Sequence, residues 1–406
     1  MPMSPVRDDF RRSQVAIGAL FFVLGFQYAT WVSRVPALKA RLDLGEAQIG
    51  LLLMTCGIGA AVSFPLVAVL MRRLGSRLLS VLSGLALGVI LLALSVVPNY
   101  PVTLLVLFFD GVAVGCLNVA MNAQGAALEA RFERTTMSRL HATFSAGSLL
   151  AALLASGVTS VTDTLAAHFG VAAALLAVLV LTARPGLLAD RPAETAEPRQ
   201  EEGKKKRRGF VLPTVATLWM GLAMVFGTVT EGAMNDWSAL YLKDYAQAGA
   251  GLAPMGIAVV SVMMVCARIF ADGWRTRFGD GRIVRTGSLL AGLGLALALA
   301  AGGVVPTLLG FACVGLGVAA VTPCVYVAAA RQGADALSLV AAMGTTGLLA
   351  GPAVIGFIAG ATSLLWGMAA VAASAAVVAL CATRISWPGP RTAAAPADPQ
   401  LAADPG

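Results

Sequence analysis

Two carboxylates stand where carboxylates are costly. Glu231 and Asp110 each lie inside a long apolar run. They are roughly ten and nine residues from one end of their runs, so at about 1.5 Å per helical residue their depths are similar. A carboxyl shielded from water loads and releases protons nearer neutrality than one in solution. The chemistry on offer is therefore proton coupling, by Glu231 with Asp110 as its partner or alternative. Neutral amides accompany both. Asn118 and Asn122 extend a polar stripe from Asp110 along one helix face, and Asn235 stands one turn from Glu231. Gln27, Tyr28 and Trp31 share the first apolar run. Amides both donate and accept, which suits a hydroxylated or amide-bearing solute between aromatic walls. The same groups equally suit hydrogen bonds that tie helices together, and the residue types leave both roles open.

Other chemistries lack their residues. The sequence holds no His-rich metal cluster, no Gly-x-Ser-x-Gly, no phosphate-binding glycine loop and no C-x-x-C. Cys56, Cys116, Cys266, Cys313, Cys324 and Cys381 fall singly inside apolar runs and read as small packing residues. We expect no metal, no cofactor and no enzymatic activity. The basic run Lys204–Arg208 reads as a solvated loop that fixes topology, not as a nucleic-acid patch. His141 is expected at the membrane surface, with Glu129 and Arg139 paired across the adjacent loop.

The elements that position these residues follow from composition. Of 406 residues, 58% are hydrophobic and 12% charged, against roughly 25% charged in soluble domains. Mean hydropathy is +0.82. Apolar stretches at 16–33, 49–71, 78–97 and 102–130 approach or exceed the roughly 20 residues of a bilayer-spanning helix. Eight more follow near 139–160, 164–183, 210–241, 251–274, 283–304, 306–330, 336–360 and 363–384. Twelve transmembrane helices are predicted, in an all-α membrane protein. With the N-terminus inside, all 29 lysines and arginines except Arg34, Lys39, Arg41 and Lys243 fall on the inner side, as the positive-inside rule requires. This places both termini in the cytoplasm and the chain in a bacterial cytoplasmic membrane. No cleaved signal peptide is expected, because the first apolar stretch leads directly into further spans.

The chain also repeats itself at an offset of about 200 residues. Met137–Leu150 aligns with Leu337–Ala350, matching Ser138 with Ser338, Ala142 with Ala342, Gly147 with Gly347 and Leu149 with Leu349. Val114-Gly115 matches Val314-Gly315, Arg73-Leu-Gly75 matches Arg277-Phe-Gly279, and Trp31 matches Trp237. We expect two parallel six-helix repeats, 1–184 and 210–384, joined by a cytoplasmic linker at 185–209 and followed by a disordered tail at 385–406. Two like halves with a seam between them suit alternating access to a central site.

These features resemble the major facilitator superfamily. Gln27-Tyr-Ala-Thr-Trp-Val-Ser-Arg-Val-Pro-Ala-Leu-Lys39, Asn118-Val-Ala-Met-Asn122 and Glu231-Gly-Ala-Met-Asn-Asp-Trp-Ser-Ala-Leu-Tyr241 look like its YbjJ-type branch, near the fucose-permease-like sugar:proton symporters. The resemblance implies the major facilitator fold, a monomer, and a cavity lined by helices 1, 4, 7 and 10. It implies proton-coupled transport of a small solute across the lipid bilayer. A drug or metabolite exporter and a non-transporting solute sensor are the alternatives. The family turn after helix 2 carries an Asp where this chain has Arg72, and the second copy has Thr276 there. The inner latch must therefore use other groups. Arg73, Arg77 and Arg277 at the turns, Arg268 paired with Asp272 one helical turn away, and Asp236 toward the outer side are the expected gating residues.

Overall fold

The computed structural model describes residues 5–134, 136–189 and 214–387, without the side chains of residues 5–7, Ser138, Asp272 and Ala334. Nearly all of the expected linker and tail therefore lie outside the described residues. Within them the chain is helical and contains no strand.

The first half contains α1 (Pro5–Val32), the short α2 (Val35–Leu42), α3 (Glu46–Val96), α4 (Tyr100–Phe132), α5 (Met137–Thr159) and α6 (Leu165–Ala183). The second contains α7 (Val215–Leu240), α8 (Met255–Phe278), α9 (Asp280–Ala301), α10 (Val304–Val318), α11 (Val321–Gln332), α12 (Ala334–Ala361) and α13 (Leu364–Ala382). Helix α3 has 51 residues, about 77 Å of helix against a hydrocarbon core of about 30 Å. It must cross twice, and it bends at Gly75, whose φ is +74°. Helices α10 and α11 form one crossing, Val304–Gln332, and the apolar stretch of α8 is Met255–Ala271. Among the described residues, ten long apolar spans, one of them folded into two crossings, and this shorter helix make twelve.

Sequence repeats become structural repeats. Gly279 follows α8 with φ +80°, the counterpart of Gly75, and both positions need the region that costs any residue with a Cβ. Gly147 on α5 lies against the backbone of Phe22 and Phe26 on α1, while Gly347 on α12 lies against Val225 on α7. Gly115 on α4 packs against Ala60 and Ser63 on α3, and Gly315 on α10 against Val260 and Met263 on α8. Each glycine lets two helix backbones approach, as helices in lipid do where small residues face each other. Trp31 and Trp237 are both buried, at matching positions of α1 and α7.

Outward-facing side chains are apolar. Val89, Leu105, Phe109, Val178, Leu293 and Leu297 are all exposed, a surface suited to lipid. Helix ends are capped locally. The Asn99 side chain accepts from the Val102 N–H at 3.1 Å, and that of Thr214 from the Thr217 N–H at 3.1 Å. The Glu129 carboxylate accepts from the N–H groups of Thr136 and Met137. Glu129 thus caps the start of α5, where the helix dipole favours a negative charge, in place of the expected pairing with Arg139.

Candidate functional site

Even-numbered crossings bring both chain ends to one side, called here the terminal face; the other is the far face. Consecutive residues of α1 hold two buried carboxyls in different halves. Gln27 Nε2 donates to Asp110 Oδ1 on α4 at 2.7 Å, and Cys56 Sγ lies 3.5 Å from Asp110 Oδ2. The Tyr28 hydroxyl donates to Asp236 Oδ1 on α7, across the seam. Residues i and i+1 of a helix project about 100° apart, so α1 addresses its own half with one side chain and the other half with the next. Asp110 and Asp236 are both buried, where a carboxyl without partners is expensive. Two other buried groups, Gln27 Oε1 and Trp31 Nε1, have no partner among the described residues.

A second polar cluster lies toward the terminal face. Glu231 Oε1 on α7 meets Arg268 Nη2 on α8 at 3.2 Å, and the two side chains remain 28% and 39% exposed. Arg268 Nη1 donates to Ser145 Oγ on α5 at 3.1 Å, so one guanidinium touches both halves. His141, one turn from Ser145, is exposed and stacks edge-on against Phe21 at 4.9 Å. The expected partner of Arg268, Asp272, has a side chain outside the described residues. Among the described residues Arg268 bonds to Glu231 and Ser145.

The amide stripes form, with internal bonds. Asn122 Nδ2 donates to Asn118 Oδ1 at 2.9 Å, and Asn235 Nδ2 to the Glu231 carbonyl at 3.1 Å. Asn118 is exposed, Asn122 and Asn235 half-buried. Trp31 stands edge-on to Tyr28 at 5.8 Å. Among the expected gating residues, Arg77 donates to the Arg184 carbonyl at 3.1 Å and ties the Gly75 turn to the end of α6. Arg73 is exposed, and Arg277 lies over the Phe278 ring. Near these turns Arg275 Nε pairs with Asp280 Oδ1 at 2.9 Å.

The two halves meet firmly at the far face. Lys39 Nζ on α2 contacts Glu46 at 2.9 Å in its own half and Asp244 at 2.6 Å in the other. Ser156 Oγ on α5 donates to the Gly251 carbonyl. Gly50 on α3 lies against Pro352 and Gly356 on α12 so closely that a Cβ would sit 2.9 Å from the Pro352 oxygen. The Lys39 bridge was not foreseen: the only sequence signal was that Lys39 and Asp244 both flank predicted far-side loops.

Two six-helix bundles around a polar seam define a multi-pass membrane transporter. The chain belongs to the major facilitator superfamily, whose family profile matches residues 15–335. An uncharacterized MFS-type transporter of Yersinia pestis is 33% identical over 383 residues, covering 92% of this chain and 96% of the relative. The uncharacterized transporter y4wD of Sinorhizobium fredii is 31% identical over 371 residues, covering 90% and 96%. Membrane protein MosC of Rhizobium meliloti is 29% identical, covering 86% and 84%. Among solved structures, a variant of the nucleoside transporter NupG superposes with a TM-score of 0.72 at 16% identity, covering 92% of this chain and 99% of that one. The transporter FucP in the outward conformation gives 0.61 at 17% identity, covering 94% and 100%. At these identities the structural likeness establishes the fold.

Proposed function

We propose that this chain is a proton-coupled carrier of a small polar solute, with Glu231 as the coupling group and Asp110 in support. One observation carries the reading. The Glu231 carboxyl stands on α7, within a helix long and apolar enough to cross a membrane, partly open to solvent and paired with Arg268. An ionisable pair kept in that setting is costly and is retained where it works. Gln27, Tyr28, Trp31, Asn118, Asn122 and Asn235 line the solute path. The unpartnered oxygen of Gln27 and indole N–H of Trp31 offer an acceptor and a donor one turn apart.

The arginine and lysine bias makes the terminal face cytoplasmic in a bacterial plasma membrane. The present arrangement is then closed toward the outside by Tyr28–Asp236, Lys39–Asp244 and the α3–α12 glycines. Asn118, His141, Arg268, Thr345 and Thr346, all exposed, line the inward-facing side. Rocking of the halves would open the outer seam and close the inner one, with Arg73, Arg77 and Arg277 at the inner turns.

The test is transport in proteoliposomes carrying an internal pH dye. Solute-evoked proton movement that disappears in Glu231→Gln supports the reading. Proton movement unchanged in that variant overturns Glu231 as the coupling group.

A further inference from the structure

We propose that the transported solute is a hydroxylated monocarboxylate, bound through its carboxylate by Arg268 in competition with Glu231. This rests on the proton-coupled reading above and adds the substrate class to it.

The geometry of Arg268 is that of a partly engaged binding residue. It makes one bond to Glu231 at 3.2 Å and one to Ser145 at 3.1 Å, out of five N–H donors. Neither contact is a two-toothed clasp, so among the described residues a fork that matches a carboxylate remains to be filled. The other side chains in this space favour an anion. His141 stands one turn from Ser145 and carries no negative charge, and Ser145 is neutral. Among the described residues Asp110 is turned toward Gln27 and Cys56 and Asp236 toward Tyr28; the Asp272 side chain, one turn from Arg268, lies outside them. Of the other helices packed on α8, α10 carries no titratable side chain except Cys313. The acid of α9, Asp280, is engaged by Arg275, and Arg282 and Arg285 lie in its first turns near the terminal face. Asn118, Asn122 and Asn235 supply amides for hydroxyl groups.

Charge balance then makes coupling obligatory. Occluding the seam removes Arg268 from water, and a desolvated guanidinium needs a counter-charge. In the empty carrier ionised Glu231 supplies it, and the halves can rock. A proton on Glu231 without solute leaves Arg268 uncompensated, which bars a proton leak. A solute carboxylate beside ionised Glu231 sets two negative charges on one cation, which bars solute leak. Proton and carboxylate together restore neutrality, and the loaded carrier rocks.

Purified full-length protein is titrated with galacturonate and gluconate, and with uncharged galactose and glucitol, at about pH 6, where the two acids remain ionised. The acids are expected to raise the melting temperature and the uncharged compounds not to. Arg268→Gln should weaken acid binding roughly tenfold or more, with Arg268→Lys intermediate. Equal shifts from the uncharged pair, or none from either acid, overturn the proposal. Should Arg268→Gln fail to fold, Glu231→Gln carries the test in proteoliposomes. It should still exchange labelled galacturonate across the membrane yet no longer concentrate it on a pH gradient. Loss of exchange in that folded variant overturns the competition. Acid bound through Arg268 but moved without protons would retain the anion site and remove the coupling reading. Galactose moved with protons would do the reverse.

Discussion

Tyr28 of α1 donates its hydroxyl to Asp236 of α7, joining the two halves at a buried point of the seam. Its neighbour Gln27 holds Asp110 within the first half. Any shift of α1 therefore acts on both carboxyls at once. Tyr28→Phe leaves Asp236 buried without its donor, a loss of about 1–3 kcal/mol. The expected result is a lower melting temperature in detergent together with a more open far face, read by labelling of a cysteine placed at Trp31. Asp236→Asn, which still offers an oxygen to Tyr28, should be milder.

The far-face bridge predicts a rate effect more than a stability effect. Lys39 is shared between Glu46 and Asp244, and all three side chains are partly exposed. Pairs of this kind contribute about 0–1 kcal/mol. Asp244→Lys should place two cations together and favour opening of the far face. Adding Lys39→Asp should restore the wild-type rate of solute uptake. A double variant as impaired as the single one would show that the pairing itself is not what matters.

Contact between α3 and α12 permits a sharper intervention. Gly356 lies against the backbone of Glu46 and Gly50, where a Cβ would sit 2.8 Å from the Glu46 oxygen. Gly356→Leu cannot close this seam, so the variant should be held with the far face open. It should bind solute from that side and fail to release it at the other. Distances between spin labels across the far face should lengthen, and unchanged distances would refute the closure assigned to these glycines.

The fold was largely legible because its signals are long-range averages. Apolar run length gave the crossings, charge bias their alternation, and Gly147/Gly347 and Gly115/Gly315 the repeat. Boundaries blurred where no composition change marks them. Glu46–Val96 is one helical stretch bent at a glycine, and Val35–Leu42 is a helix where only a charged loop was expected. The site was half legible. Glu231 and Asp110 stood out as charges in apolar runs, but their partners depend on which helix faces meet across about 37 and 83 residues of chain, respectively. Local spacing suggests Asp272 for Arg268, since residues three and four apart are the neighbours a single helix reveals, and that side chain lies outside the described residues. Glu231, on the preceding helix, becomes a neighbour only through packing.

Asp110 and Glu231 can be separated by their isosteric amides. Asp110→Asn keeps an oxygen for Gln27 Nε2, now 2.7 Å from Asp110 Oδ1, so the fold should survive while the charge is lost. If Glu231 alone carries the proton, Asp110→Asn lowers the transport rate but leaves the ratio of protons to solute unchanged, as measured by the pH gradient that just balances a solute gradient. Glu231→Gln should take the same ratio to zero. If instead both carboxyls carry protons, Asp110→Asn reduces the ratio by one and Glu231→Gln leaves a residual coupled flux. The arrangement favours the first outcome. Asp110 is sealed between Gln27 and Cys56, whereas Glu231 is partly exposed and pairs with Arg268, so a proton reaching it changes the charge balance of the seam.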